Sequence, residues 1–259
     1  YNAGTTLLFY LGGDNNLGNE ISDKVEAIRG GWHPATGDRL LIYGDVNGSS
    51  PFFIEITADG GSKTIRELSQ EDSADNRVFA RVLNDVRRLY PSKSYGLVVF
   101  SHGTGWLPPG AMLDPRAASP DKESGDSRRD DTSSRSIIQD GNAEMELSDF
   151  AAAIPDGMFD FIVFEACLMS GIEVAYELKD KAERILASSA EIISPGFQPV
   201  YTTSLDKLFK GNITGFAEDL FVYFDGLYGV RRSATISVVH TSLLDALAPW
   251  VAGTCDFCK

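Results

Sequence analysis

The fold of this chain is decided by the stretch Leu97-Val98-Val99-Phe100-Ser101-His102-Gly103-Thr104-Gly105-Trp106. Four apolar residues, two of them β-branched, stop abruptly at a polar turn that contains two glycines. A short apolar run bounded by turn residues predicts a strand that is buried on both faces, as in parallel sheets. The end of this strand places His102 in a loop.

A second stretch, at residues 159–171, has the same design and reads FDFIVFEACLMSG. It predicts another buried strand, and this one delivers Cys167 to its C-terminal end. Ligands of open α/β sheets bind beyond the carboxyl ends of the strands. His102 and Cys167 are therefore candidates for a catalytic pair at one edge of the sheet.

Strands and helices alternate through most of the chain, which predicts a mainly parallel sheet covered on both faces, in a single domain over residues 1–259. Asp59-Gly60-Gly61 lies between two strand-like runs and predicts a hairpin that gives the sheet an antiparallel edge. In the turn after the first strand, Asp14 and Asn15 are expected to cap the next helix or to brace neighbouring loops. Further strands are expected at 5–11, 39–45, 184–191 and 234–240, and helices at about 17–29, 73–90, 146–154, 171–181, 203–209 and 215–228.

The charge and hydropathy of the chain exclude two classes of function. The formal net charge is −14 and no basic stripe offsets it, which argues against nucleic-acid binding. No apolar run approaches the roughly 20 residues that cross a bilayer. The chain begins at Tyr1 rather than Met, so we expect a processed or trimmed chain whose targeting segment lies outside it.

Residues 107–143 differ in composition from the rest of the chain. Asp, Ser, Arg, Pro and Gly dominate, and little between Leu113 and Ile137 can be buried, which predicts a long exposed loop. Its basic residues lie in an open context that suits cleavage by a protease. The positions of interest are Lys122, Arg128, Arg129 and Arg135.

Other histidines and cysteines are weaker candidates for chemistry. His33 lies in a loop beside Trp32, and His240 ends a strand without a following glycine. Cys255 and Cys258 form a lone CxxC without the second ligand pair that zinc needs, so a surface tail or a disulfide is expected and no metal site.

The proposed chemistry needs a thiolate, which a thiol with a pKa near 8.5 supplies only sparsely at neutral pH. The helix expected from about residue 171 follows Cys167 closely and would favour the thiolate through its N-terminal partial charge. His102 would exchange protons with the thiol and the leaving amine. The backbone N–H groups of Gly103 and Cys167 are plausible donors to an oxyanion. A single buried Cys is often an inert small hydrophobe, but its pairing with a strand-end histidine favours catalysis.

Three motifs in order, YLGGDNNL, VVFSHGTGW and FEACLMSG, resemble the clostripain-like family of cysteine peptidases, which belongs with caspases, gingipains and legumain. The resemblance implies a caspase-like α/β/α sandwich in which His102 matches the family histidine and Cys167 the nucleophile. It also implies cleavage after Arg or Lys and, in several members, self-cleavage between the two strands, where the 107–143 loop lies. It implies no required cofactor; one well-known member needs calcium, so calcium stays open.

The chain departs from the family pattern in the expected substrate pocket. Glu165 stands where the family usually has Asp, and only Glu191 is acidic in a stretch that normally carries several acids. These two glutamates would bind a basic side chain. Ile192 and Ile193 make the same region more apolar, which leaves a small or apolar specificity as an alternative.

The leading hypothesis is therefore a bacterial cysteine endopeptidase, secreted or at the cell surface, that acts on peptides or proteins. The alternative from another class is a catalytically weak, caspase-like surface-binding domain. The sequence carries no indication of oligomeric state.

Overall fold

The computed structural model describes residues 2–46, 48–105 and 136–247. Within these ranges the strands are β1 (Asn2–Gly13), β2 (Arg39–Val46), β3 (Phe52–Ile56), β4 (Ser62–Arg66), β5 (Ser92–Phe100), β6 (Ser136–Asp140), β7 (Ala143–Glu146), β8 (Phe159–Glu165), β9 (Ala182–Ala187) and β10 (Ser237–His240). The α-helices are α1 (Gly18–Gly30), α2 (Asn76–Leu89), α3 (Leu147–Ala153), α4 (Ile172–Glu177), α5 (Gln198–Phe209) and α6 (Ile213–Asp225).

The main sheet of the described chain has the strand order β10-β9-β8-β5-β1-β2-β3-β4. The five central strands β9, β8, β5, β1 and β2 run parallel to one another. Strands β3 and β4 form the predicted antiparallel hairpin at one edge, and β10 adds an antiparallel strand at the other. The prediction of a mainly parallel sheet with an edge hairpin is confirmed.

Helices cover both faces of this sheet. Along β1, Leu8 and Tyr10 pack into one core with helices α2, α3 and α4, whereas Leu7 and Phe9 pack into a second core with α1, α5 and α6. This alternation explains the unbroken apolar runs, because a central strand with a helical layer on each face must be apolar at every position. The result is an α/β/α sandwich.

The predicted exposed loop ends earlier than residue 143. Strand β6 begins at Ser136 and forms a small hairpin with β7, in which Ile137 and Ile138 are buried. The strand is fixed by the residues after β5, since Thr104 N–H donates to the Ser136 carbonyl at 3.0 Å and Ile138 N–H to the His102 carbonyl at 3.1 Å. Lys122, Arg128, Arg129 and Arg135 lie outside the described residues, as do Cys255 and Cys258.

One helix near the cleft begins earlier than predicted, and another begins where it was expected. Helix α5 begins at Gln198 rather than near 203, because Pro199 falls in its first turn, where proline is tolerated and its fixed φ suits the helix. Helix α4 begins at Ile172 and spans six residues. This start agrees with the expected one at about residue 171 and lies five positions after Cys167.

Candidate active site

The predicted histidine and cysteine meet at the carboxyl edge of the sheet. Strands β5 and β8 are parallel neighbours in which Phe100 pairs with Glu165, and His102 and Cys167 each follow their strand by two residues. Both side chains line one cleft of about 80 Å³. The cleft is also lined by Leu17, Glu20, Phe100, Ser101, Glu165, Ala166, Ile192, Ser194 and Gly196.

The His102 imidazole is oriented by Asn16, whose Oδ1 lies 2.6 Å from Nε2. Because an amide oxygen accepts, Nε2 carries the proton and Nδ1 keeps a free lone pair. Burial lowers the pKa of His102, and the charges of Glu144 and Glu20 oppose that shift. The ring is therefore neutral at pH 7 and has the form of a general base.

Sequence reasoning missed Asn16. It belongs to the polar turn between β1 and α1, and β1 is the neighbour of β5 in the sheet. Asn15 braces this turn as expected, because its Nδ2 donates to the Gln139 carbonyl at 2.8 Å and its Oδ1 accepts from Leu17 N–H at 2.8 Å. The sequence feature that could have identified Asn16 is the run of polar residues after β1, because β1 lies next to the strand that carries His102.

The Cys167 thiol faces the loop after β9. Ile192 N–H donates to Sγ at 3.3 Å, and this bond lowers the pKa of Cys167. Burial is the larger influence and raises the pKa of Cys167, with the charge of Glu191 acting in the same direction. Helix α4 begins five residues after Cys167, and the expected assistance from its N-terminus stays a prediction. The resting thiol is protonated at pH 7 and needs a base.

His102 and Cys167, both described residues, are not joined by a hydrogen bond although they share one cleft. Catalytic hydrogen bonds are often long in unliganded enzymes and tighten only with substrate. The imidazole base and the neutral thiol thus lie in one cavity without a hydrogen bond between them.

Gly103 packs directly against the nucleophile. A Cβ added at Gly103 would lie 3.1 Å from the Cys167 carbonyl oxygen and 3.2 Å from the Ala166 side chain, so a larger residue would force these neighbours to shift by a few tenths of an ångström. The next residue along from the nucleophile, Leu168, has φ +63°, an uncommon conformation for a non-glycine residue. Such backbone strain clusters at functional sites because the surrounding structure must hold it in place.

Glu165 lines the cleft and is also held by three hydrogen bonds from inside the protein. Its Oε1 accepts from Lys24 Nζ at 2.6 Å and from Phe197 N–H at 2.7 Å, and its Oε2 accepts from the Tyr201 hydroxyl at 2.6 Å. The side chains of Lys24 and Glu165 are 0% and 1% exposed. The carboxylate lies against the cleft, but its charge is compensated from inside the protein.

Two other glutamates lie nearer to solvent. Glu191 is exposed and its charge acts on Cys167, whereas Glu20 on α1 is half-buried and lines the cleft beside His102. Ile192 lines the same cleft, as its apolar character suggested. Glu20 was not singled out from the sequence because it falls on the polar side of an ordinary amphipathic helix.

The rival histidines are remote from this cleft. His33 is exposed in the loop before β2, and His240 is exposed at the end of β10, where it pairs with Arg184 of β9. Because β10 is antiparallel to β9, its C-terminus points to the opposite edge of the sheet from Cys167.

A cluster of carboxylates lies beside the loops that carry His102. Asp140, at the end of β6, accepts from the Ser73 N–H at 2.6 Å. Asp45 of β2 is fully buried. If its side chain is ionised, neither carboxylate oxygen accepts a hydrogen bond from any described residue. Burial, followed by Asp140, raises the pKa of Asp45 to about 8, so a proton on Asp45 supplies the missing hydrogen bond to Asp140.

This cluster does not have the arrangement of a metal site. Within residues 2–46, 48–105 and 136–247, no three His, Cys, Asp or Glu side chains are grouped so as to hold a metal ion. A proton shared with Asp140 accounts for the buried Asp45. The calcium requirement that the resemblance left open stays a prediction. The same ranges contain no helix long and apolar enough to span a bilayer.

Sequence comparison identifies the family. The clostripain family profile matches residues 9–254 of the chain. Clostripain of Hathewaya histolytica is 22% identical over 247 residues, which cover 85% of this chain and 45% of that protein. The chain thus spans less than half the length of this curated relative.

Solved structures agree with the sequence comparison. An inactive zymogen C11 protease from Parabacteroides distasonis has a TM-score of 0.77 and 31% identity, with 96% of this chain and 65% of that chain covered. A secreted C11 cysteine protease from Bacteroides thetaiotaomicron, solved in complex with an irreversible peptide inhibitor, has a TM-score of 0.75 and 29% identity, with 95% and 69% covered. These likenesses confirm the caspase-like sandwich, and with the profile match they establish that the chain belongs to the clostripain family of C11 cysteine proteases.

Proposed function

We propose that this chain is a cysteine endopeptidase in which His102 and Cys167 form the catalytic dyad. The observation that carries the proposal is their delivery to one cleft by adjacent parallel strands, with a neutral imidazole on one side and a buried thiol on the other. A nucleophile and a base within one cavity are the minimum needed for acyl transfer.

The first half of the reaction forms an acyl-enzyme. Nδ1 of His102 takes the thiol proton while Sγ of Cys167 attacks the scissile carbonyl carbon, and the carbonyl π electrons move to oxygen. Backbone N–H groups of Gly103 and Cys167 stabilise that oxyanion. As the intermediate collapses, the C–N bond breaks, the imidazolium gives its proton to the leaving amine, and a thioester remains.

The second half regenerates the enzyme. His102 takes a proton from water, and the resulting hydroxide attacks the thioester carbonyl. The C–S bond breaks, the carboxylic acid product leaves, and the imidazolium returns its proton to the sulfur. Asn16 keeps the ring in the tautomer that both halves require, since its oxygen holds the Nε2 proton.

The substrate is a peptide or protein, and the resemblance implies Arg or Lys before the scissile bond. That specificity needs an unpaired acid at the pocket. Glu165 is ion-paired with Lys24, which leaves Glu20 and Glu191 as the acids near the cleft. Glu20 lines the cleft and is the acid available to a basic side chain, and the small or apolar specificity stays the alternative.

Self-cleavage between the two catalytic strands is a further part of the proposal. The relative from Parabacteroides distasonis is an inactive zymogen, which supports activation by processing. In this chain, residues 106–135 connect the His102 loop to β6 and include Lys122, Arg128, Arg129 and Arg135. Secretion is proposed on the likeness to the secreted relative from Bacteroides thetaiotaomicron.

Hydrolysis of a mixed peptide library, followed by mass spectrometry, tests the enzyme proposal. Wild type is expected to cleave peptides, Cys167→Ala to be inactive, and His102→Ala to lose at least about 100-fold, the contribution of a general base. His240→Ala serves as the matched control and should retain full activity. A Cys167→Ala protein that hydrolyses peptides at the wild-type rate would contradict the proposal.

The surface-binding alternative makes the opposite prediction. A binding domain would leave every peptide in the library intact while it retained a peptide or protein ligand. The same experiment therefore distinguishes the enzyme from the binding domain, because it measures cleavage products and not binding affinity.

A further inference from the structure

We propose that Asp140 is a positioning residue for the peptidase reaction, because it anchors strand β6, and β6 in turn supports the two loops that carry His102 and Asn16. This role rests on the proposed peptidase function, since it concerns the geometry of the base and not the identity of the substrate. Asp140 does not line the catalytic cleft, so its effect on catalysis passes through the strand.

Strand β6 supports the loop of His102 through the backbone. Ile138 N–H donates to the His102 carbonyl at 3.1 Å. The next residue of the loop, Gly103, pairs with Ile137 in an isolated antiparallel bridge. The base and one of the proposed oxyanion donors therefore take their positions from two consecutive residues of β6.

The same strand supports the turn that carries Asn16. The Asn15 Nδ2 donates to the Gln139 carbonyl at 2.8 Å, and Gly141 N–H donates to the Asp14 carbonyl at 2.6 Å. Asn16 follows directly, and its Oδ1 lies 2.6 Å from Nε2 of the catalytic imidazole. Both ends of the contact that fixes the imidazole tautomer are thus supported by one short strand.

The backbone of β6 is strained between these two supports. Ile138 has φ +72°, in the left-handed region, although it is β-branched and its side chain is buried. For a β-branched residue this conformation is a genuine outlier. Strained backbone persists only where the surrounding structure holds it, so β6 needs a firm attachment close to Ile138.

Asp140 provides this attachment two residues further along the strand. Its Oδ2 accepts from the Ser73 N–H at 2.6 Å and from the Ser73 hydroxyl at 3.1 Å. The proton of Asp45 supplies a further hydrogen bond to the Asp140 carboxylate. Ser73 and Asp45 are both fully buried, so the end of β6 is tied to the interior of the protein.

The charges around this anchor make the shared proton necessary. The ionisable groups that interact with Asp45 or Asp140 are Asp14, Glu71, Asp72, Tyr10 and Tyr43, and the nearby Arg81 is paired with Glu71. Burial, followed by these carboxylates, raises the pKa of Asp45 to about 8. Once Asp45 ionises, two carboxylates repel each other in a poorly solvated place, and the attachment of β6 weakens.

The experiment measures kcat and KM for the peptide that wild type cleaves fastest, across the neutral and alkaline pH range, in wild type, Asp140→Ala, Asp140→Asn and Asp45→Asn. At pH 7, Asp140→Ala should lower kcat roughly 10- to 100-fold with KM little changed, the effect of a displaced catalytic group. Asp140→Asn should restore most of the wild-type kcat, since its carbonyl accepts from Ser73 and its amide donates to Asp45.

Above the pKa of Asp45, about 8, the pH profiles should diverge. Wild-type kcat should decline as Asp45 ionises. Asp45→Asn and Asp140→Asn should keep their kcat to higher pH, because neither variant has two facing carboxylates. A residue that only stabilised the fold would lower the amount of active enzyme and leave the shape of this profile unchanged.

Asp149→Ala is the matched control, since it removes an exposed acid from α3, the helix that follows the β6–β7 hairpin. It should equal wild type at every pH. Thermal unfolding shows whether each variant is folded at the assay temperature. If Asp140→Ala does not fold, the alkaline profiles of the two asparagine variants decide the inference.

An unchanged kcat in folded Asp140→Ala, or a loss confined to KM, overturns the inference and leaves the peptidase proposal standing. The same alkaline decline in wild type and in both asparagine variants overturns it as well. A wild type that hydrolyses no peptide overturns the peptidase proposal and this inference with it.

Discussion

Asn16 Oδ1 accepts a hydrogen bond from His102 Nε2 at 2.6 Å and thereby decides which imidazole nitrogen is the base. The two residues come from loops after adjacent strands, β1 and β5. Because this contact holds the proton on Nε2, Nδ1 is the nitrogen available to the thiol.

Replacing Asn16 should therefore impair turnover more than binding. Asn16→Ala frees the ring to adopt the other tautomer, and we expect kcat to fall roughly 10- to 100-fold, up to the contribution of a general base, with KM little changed. Asn16→Asp should retain the orientation and raise the pKa of His102, since a carboxylate favours the imidazolium. In this variant the acidic limb of the pH profile of kcat/KM should move to higher pH. Equal KM increases and unshifted pH profiles in both variants would indicate a structural role only.

The resting thiol should react as a thiol and not as a preformed thiolate. Burial raises the pKa of Cys167, so alkylation by neutral iodoacetamide should accelerate with pH and show its inflection above the usual range of a cysteine thiol. The measurement is the difference in labelling rate between wild type and Cys167→Ala, which removes the contribution of Cys255 and Cys258. An inflection near pH 4 to 7 would show an ion pair already present in the free enzyme.

The buried Asp45 should make stability depend on pH. Its pKa is about 8 in the folded protein against about 3.9 in an unfolded chain, so between these values the folded state holds a proton that the unfolded state has released. The free energy of unfolding should then fall as pH rises from 4 to 8, with a slope of up to about 1.4 kcal/mol per pH unit. Urea unfolding at several pH values measures it.

Asp45→Asn should flatten this dependence, because the amide keeps a donor for Asp140 and cannot ionise. The variant should match wild type near pH 4 and exceed it by a few kcal/mol at pH 8. Asp23→Asn, which changes an exposed acid on α1, should follow the wild-type curve. Parallel curves for wild type and Asp45→Asn would contradict the assignment of a shared proton to Asp45.

Lys24 and Glu165 should be strongly coupled in stability. Removing either partner of a buried ion pair leaves an uncompensated charge and costs about 3–5 kcal/mol, so Lys24→Met and Glu165→Gln should each lower the free energy of unfolding. The double variant should lose less than the sum of the two single losses. Additive losses in this double-mutant cycle would mean that the pair does not interact as the 2.6 Å distance indicates.

The sheet could be predicted because its signals are local. Apolar runs at Leu97–Phe100 and around Phe161 identify strands buried on both faces, and Asp59-Gly60-Gly61 identifies the edge hairpin. The strand β6 was not predicted, because beyond its local hairpin with β7 it is fixed by hydrogen bonds to residues after β5, which are distant in sequence. Ile137 and Ile138 alone are too short an apolar run to indicate a strand.

The roles of the charged residues depend on tertiary contacts that no spacing reveals. Glu165 was placed in the substrate pocket because it precedes Cys167 by two residues, whereas its partners Lys24 and Tyr201 come from helices α1 and α5. Lys24 occupies a position on α1 that faces the core, where a lysine is expected only with a buried partner. A lysine within the otherwise apolar face of α1 was the sequence feature that could have predicted a buried ion pair.

Covalent labelling tests the central claim of a His102–Cys167 dyad most directly. The protein is incubated with a library of irreversible peptide electrophiles that differ in the residue at the reactive end, and the modified residue is located by peptide mapping. The account predicts a single adduct at Cys167, absent from Cys167→Ala and slowed at least about 100-fold in His102→Ala. Modification confined to Cys255 or Cys258, or labelling of Cys167 at the same rate without His102, would contradict it.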